Sequence, residues 1–126
     1  MIFSEINDDS YIVALRDGLP FEVATDLAAR MDVNLDELAR MLNISADELE
    51  ESQSSGRLTL AQGNRFARIE RLYADIEDLL GKDAGAWLRE SLPGLQDKTP
   101  LELLDTEPGV AKVSTLITQL NYGIYT

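Results

Sequence analysis

The sequence contains no cysteine and no histidine. Their absence excludes disulfide pairing, thiolate or imidazole metal ligation, and every Ser–His or Cys–His nucleophile pair. A chain without thiols fits a reducing compartment. The opening Met1-Ile2-Phe3-Ser4-Glu5 has no basic residues ahead of an apolar stretch, as a secretory leader would. No apolar run is long enough to span a bilayer, so a cytoplasmic protein without membrane contact is expected. Positive charge is scarce as well. Eleven Lys and Arg stand against 23 Asp and Glu, a net charge of −12. Such a balance repels bare nucleic acid and anionic membranes at long range, and it favours a basic protein partner or simple solubility. Glycine-rich phosphate loops and calcium-loop patterns are missing too. The remaining catalytic option is the adjacent acids Asp8-Asp9, Asp36-Glu37, Asp47-Glu48 and Glu50-Glu51. Neighbours on a helix do not face each other, and an acid needs burial to raise its pKa. These pairs read as solvated surface, so no catalytic residue, no metal site and no cofactor is expected.

What is present is helical. At 126 residues with 44% hydrophobic content, the chain suits one small unit or two lobes, burying roughly two-thirds of the unfolded surface. Residues 1–18 read as an arm, holding Glu5, Asp8 and Asp9, followed by a short helix. In that helix the run Tyr11-Ile12-Val13-Ala14-Leu15 has no decisive period, and Gly18 is its stop. Residues 19–58 carry a helix from Pro20 to Met31, with Val23, Leu27, Ala28 and Met31 at helical spacing. Capping boxes at Asn34/Glu37 and Ser45/Glu48 then open two more helices. Short helix, tight turn, short helix is the helix-turn-helix outline. Residues 59–81 form a long connecting helix, capped by Thr59 with Gln62 and stopped by Gly81. Its apolar stripe is Phe66, Ile69, Leu72, Tyr73, Ile76, Leu79 and Leu80. Residues 82–126 make a small C-terminal lobe, in which Asp83 is expected to start a helix bearing Trp87.

The last quarter organises the rest. Thr99, Pro100 and Glu102 spell a capping box with proline at the first helical position, and Thr106 with Pro108 opens a second helix soon after. That helix presents Val110, Val113, Ile117 and Leu120 in a narrow apolar seam. Gly123 is expected to end it in a left-handed turn, flanked by Tyr122 and Tyr125 and followed by Thr126. Val110, Val113, Leu116, Ile117 and Leu120 can instead cover the protein's own core, and for most of them that is the expected use. Asn121, Tyr122, Gly123, Ile124, Tyr125 and Thr126 are different, because rigid tyrosines are enriched at interface hot spots and rarely needed on a solvent-facing end.

The ordered set Trp87-Leu88, Leu95, Thr99 to Thr106, Gly109 and Gly123-Ile124-Tyr125 resembles the C-terminal toxin-binding domain of the Xre/MbcA/ParS-like antitoxins. More weakly, the resemblance covers the chain from Gly18 onward. It implies an all-α antitoxin with an N-terminal helix-turn-helix-like lobe. Its implied partner is a cognate RES-type toxin that degrades NAD, whose active site the C-terminal helix and tail would block. Val113, Ile117, Leu120 and residues Asn121 to Thr126 are then the toxin-binding candidates. The family usually has glycine near positions 96 and 97, where Gln96 and Asp97 stand here; Asp tolerates a left-handed turn.

The resemblance also implies a reader helix after Ser45, but Asp47, Glu48, Glu50 and Glu51 load it with negative charge. Residues 19–58 hold three basic residues against nine acidic ones, a net of −6, and duplex affinity rests on phosphate neutralisation. The DNA-contact candidates are Gln53, Ser54, Arg57, Arg65 and Arg68. Arg65 and Arg68 match arginines often seen in the family, although pairing with nearby acids is the expected use of both. Operator DNA is therefore expected to bind weakly or only through a complex. A homodimer, joined through the N-terminal lobe, is expected. The rival readings are a stand-alone helix-turn-helix regulator and an antitoxin for another toxin class.

Overall fold

The computed structural model describes residues 8–123. Among them the fold is all-α, with isolated bridges and no strand. No described helix is long and apolar enough to cross a membrane. Two compact units emerge, residues 1–71 and 72–126, and the division falls inside the longest helix.

The first unit contains α1 (Asp8–Asp17), α2 (Glu22–Met31), α3 (Leu35–Met41), α4 (Ala46–Ser55) and the part of α5 (Leu60–Leu80) up to Arg71. The ambiguous apolar run resolves as α1, and Gly18 ends it at φ +93°. Helix α2 starts later than its sequence signal at Pro20. Pro20 is held in an antiparallel bridge to Arg57, the Phe21 N–H donates to the Gly56 carbonyl at 2.8 Å, and Phe21 offers no side-chain cap. Both expected capping boxes form, at Asn34/Glu37 and Ser45/Glu48. Asp32 and Asn43 supply left-handed turns after α2 and α3, at φ 57° and 56°, a conformation that short polar side chains tolerate. Leu27, Met31, Leu38, Met41, Phe66 and Ile69 form the fully buried centre.

Two polar devices tie this unit together. The Gln62 Oε1 accepts from the Thr59 N–H at 2.9 Å, completing the expected cap, and also from the buried Ser52 hydroxyl at 3.0 Å. One amide thus starts α5 and fastens α4 to it. Glu70, 2% exposed, lies 3.5 Å from Arg30, so a buried carboxylate faces a guanidinium.

The second unit begins at Leu72 and continues through a 3₁₀ turn (Gly81–Asp83), α6 (Ala84–Trp87), another 3₁₀ turn (Pro93–Leu95), α7 (Pro100–Leu103) and α8 (Glu107–Asn121). Asp83 does not cap α6 as its sequence suggested. Its backbone is already helical, so the carboxylate makes no cap bond. Leu79 and Leu80, expected in the stripe of α5, are half-buried, whereas Leu72, Tyr73 and Ile76 are buried. The capping box at Thr99/Glu102 forms, and Thr106 Oγ1 accepts from the Gly109 N–H at 3.1 Å. Gly109 lets α8 close on α7, because an added Cβ would collide with the Leu103 carbonyl.

Candidate functional site

Helix α8 is built from its N-terminus. Pro108 sits in the first turn, where its missing N–H costs nothing, and the Thr106 cap and Gly109 contact fix the helix against α7. Leu101 is buried, and its N–H donates to the Leu88 carbonyl at 3.0 Å, which ties the α6 end to α7. Trp87, Leu88, Leu95, Leu101 and Leu104 are all buried. These five residues of the family resemblance are therefore scaffold, packed in the interior of the unit that carries α8.

The expected seam divides. Val113 and Ile117 are 0% and 5% exposed, so they pack inward. Their spacing places them on the stripe of α8 that the unit needs for its own core. Leu120 is half-buried; Asn121, Tyr122 and Gly123 are exposed, Tyr122 at 73%. Gly123 adopts φ +71° and its N–H donates to the Leu120 carbonyl at 3.1 Å, so the helix ends at the expected residue. Ile124, Tyr125 and Thr126 lie outside the described residues.

Two depressions flank α8. One, of about 550 Å³, is lined by Trp87, Leu92, Pro93 and Gly94 on one wall and by Ala111, Lys112, Thr115, Leu116, Gln119 and Leu120 on the other. Sequence reasoning missed this apolar groove. The available signal was Leu116 and Leu120 one turn apart with Ala111, a second stripe on α8 beside the buried one. The other, of about 300 Å³, is lined by Asp75, Asp78, Leu79, Ser114, Ile117, Thr118, Asn121 and Tyr122. It has carboxylates, hydroxyls and an amide but no basic residue in its walls. Among the described residues no group of three or more Asp or Glu side chains is placed to hold a metal ion.

Two of the DNA-contact candidates are engaged on backbone carbonyls. Arg57 Nη1 donates to the Gly18 carbonyl at 2.7 Å, and Arg65 Nη2 to the Met41 carbonyl at 2.8 Å. The Met41 carbonyl is thus one acceptor that sequence reasoning did not foresee for Arg65. Gln53, Ser54 and Arg68 are exposed. On α4 the Glu48 carboxyl is held below its usual range, first by the Ser45 backbone N–H and then by the Ser45 hydroxyl, so this acid stays charged while it caps the helix. In the same unit burial pushes the Tyr11 phenol up to about 12; Glu70 adds to the shift and Arg71 opposes it.

Residues 77–123 match the family model of the antitoxin Xre/MbcA/ParS C-terminal toxin-binding domain. Over 116 residues the chain is 28% identical to an Antitoxin Xre of Yersinia enterocolitica, covering 89% of this chain and 78% of that protein. An Antitoxin Xre of Photorhabdus laumondii is 28% identical over 114 residues, covering 87% and 77%. A Prs ADP-ribosylating antitoxin of a Sphingobium species is 32% identical over 79 residues, covering 54% of this chain and 50% of that protein.

Proposed function

We propose that this chain, an Xre/MbcA/ParS-like antitoxin, neutralises a cognate RES-type toxin by laying the C-terminal end of α8 and the following tail across the toxin's NAD-cleaving site. The observation that carries the reading is Tyr122, 73% exposed on the last turn of α8 within the matched domain. A large aromatic left in water at a helix end is poorly explained by folding and well suited to a partner's pocket. Leu120 and Asn121 extend that contact, Gly123 turns the chain, and Ile124, Tyr125 and Thr126 would complete the plug. Val113 and Ile117 contribute by holding α8 straight. The antitoxin supplies no chemistry in this scheme. By function, residues 82–126 are the toxin-binding part, 59–81 the connecting helix and 19–58 a helix-turn-helix-like lobe that pairs copies. That lobe's acidic α4, with Arg57 and Arg65 engaged on carbonyls, gives weak operator binding at most outside a complex.

The test is co-expression with candidate RES-type toxins, scored by survival and NAD level. Deleting residues 121–126 should abolish rescue; a truncated chain that still rescues overturns the plug. The similarity to a Prs ADP-ribosylating antitoxin favours one second reading, a toxin that transfers ADP-ribose from NAD to protein. In that case toxin activity would leave ADP-ribose on a protein target, whereas a RES-type toxin would deplete NAD without labelling.

A further inference from the structure

The plug uses only part of the polar depression beside α8. Asn121 and Tyr122 line it, but so do Asp75, Asp78, Ser114 and Thr118, which have no role there. Asp75 and Asp78 stand on α5 at i, i+3, one helical turn apart. Ser114, Thr118 and Asn121 follow i, i+4, i+7 on α8 and so share one face. All of them belong to the second unit, around a hollow of about 300 Å³. This cup is furnished with acceptors. An ionised carboxylate only accepts, and the Thr118 hydroxyl donates to the Ser114 carbonyl at 3.0 Å, leaving its oxygen to accept as well. The C-terminal end of α8 adds the negative end of its dipole, and neither α5 nor α8 has a basic residue in its last turn. Carboxylates on a solvated helix face need no explanation by themselves. Here a concave wall, an accepting hydroxyl and the exposed ring of Tyr122 accompany them, which together suit a flat cation with several donors.

We infer that this cup receives an arginine side chain of the toxin, set on the toxin's surface beside the cavity that the tail enters. The inference rests on the toxin-binding reading above and adds a charged contact to it. Arginine suits the cup better than lysine. A planar guanidinium can bridge Asp75 and Asp78 while it stacks on Tyr122, whereas an ammonium is compact and strongly hydrated. The net charge of −12 draws a basic surface in at long range, and the cup then fixes the register of the two proteins. Cup and plug adjoin at Asn121 and Tyr122, so the contact runs on from the helix end to the α5 wall.

Two measurements on the full chain test this, one of them without a toxin. In the first, amide NMR spectra follow titration with N-acetyl-arginine amide and, separately, with its neutral isostere N-acetyl-citrulline amide, at low salt. The arginine probe should shift Asp75, Asp78 and residues 114–122 saturably at millimolar concentration. The citrulline probe should leave them in place, and the double variant Asp75→Asn/Asp78→Asn should abolish the response. In the second, a RES-type toxin that the chain neutralises is titrated with wild type, with the double variant and with Tyr122→Phe. The double variant should bind roughly ten-fold more weakly and with less dependence on salt, its unfolding temperature unchanged because both acids are exposed. Tyr122→Phe keeps the ring and should bind like wild type. Equal toxin affinity for the double variant, or arginine shifts no larger than those of citrulline, would overturn the cup and leave the plug standing. Failure of the plug shows differently, as rescue by a chain lacking residues 121–126 while the full chain still responds to arginine.

Discussion

The units on either side of the Arg71–Leu72 division are both helical and both begin helices with capping boxes, but they place their informative residues differently. In the first unit the polar groups of interest bond to the unit itself. Arg57 and Arg65 hold backbone carbonyls, and Gln62 joins a cap to the buried Ser52. In the second, Trp87, Leu88, Leu95, Leu101 and Leu104 of the resemblance are buried scaffold, while the surface around the end of α8 is made by Leu116, Leu120 and Tyr122. A motif can therefore mark where a binding element is mounted without marking what it touches.

The sharpest way to break that comparison is at the mount. Gly109→Ala drives a Cβ into the Leu103 carbonyl, on a backbone that cannot yield, so the second unit should lose roughly 3 kcal/mol; thermal unfolding showing a loss below 1 kcal/mol would show that α8 does not depend on this contact. Next comes the tie in the first unit. Gln62→Ala removes the Thr59 cap partner and strands the Ser52 hydroxyl, and urea unfolding should register about 2 kcal/mol with toxin binding unchanged. Smaller, and opposite in sign, is Gln96→Gly. Gln96 and Asp97 both adopt left-handed backbone, at φ 57° and 64°, and relieving one should stabilise by about 1 kcal/mol. The mildest effect is one of pH. Because the Tyr11 phenol is raised to about 12 in the fold, its contribution is complete below the unfolded value of about 10 and is lost as pH rises through the folded one. Tyr11→Phe should flatten stability across that alkaline window while leaving neutral-pH binding of the toxin intact.

How much was legible depended on range. Asn34/Glu37, Ser45/Glu48, Thr59/Gln62 and Thr99/Glu102 are bonds between residues three apart, so the sequence contains both partners side by side. The stop at Gly123 was readable for the same reason. By contrast, the Arg57 bond to Gly18 spans 39 positions and the Arg65 bond to Met41 spans 24, and nothing local announces a carbonyl as the acceptor. The division of the α8 seam was hidden too: periodicity shows that Val113, Ile117 and Leu120 share a stripe, but only packing decides that Val113 and Ile117 are inside. The groove beside Leu116 needed its second wall, residues 87–94, which the sequence separates from α8 by two capped helix starts.

Calorimetric titration of a toxin that the chain neutralises, with wild-type chain and with Tyr122→Ala, tests the central claim most directly. The expected result is a loss of about 2 kcal/mol in binding with the unfolding temperature unchanged, since Tyr122 stands 73% exposed. Equal affinity for the two proteins would contradict the account and move the contact away from the end of α8.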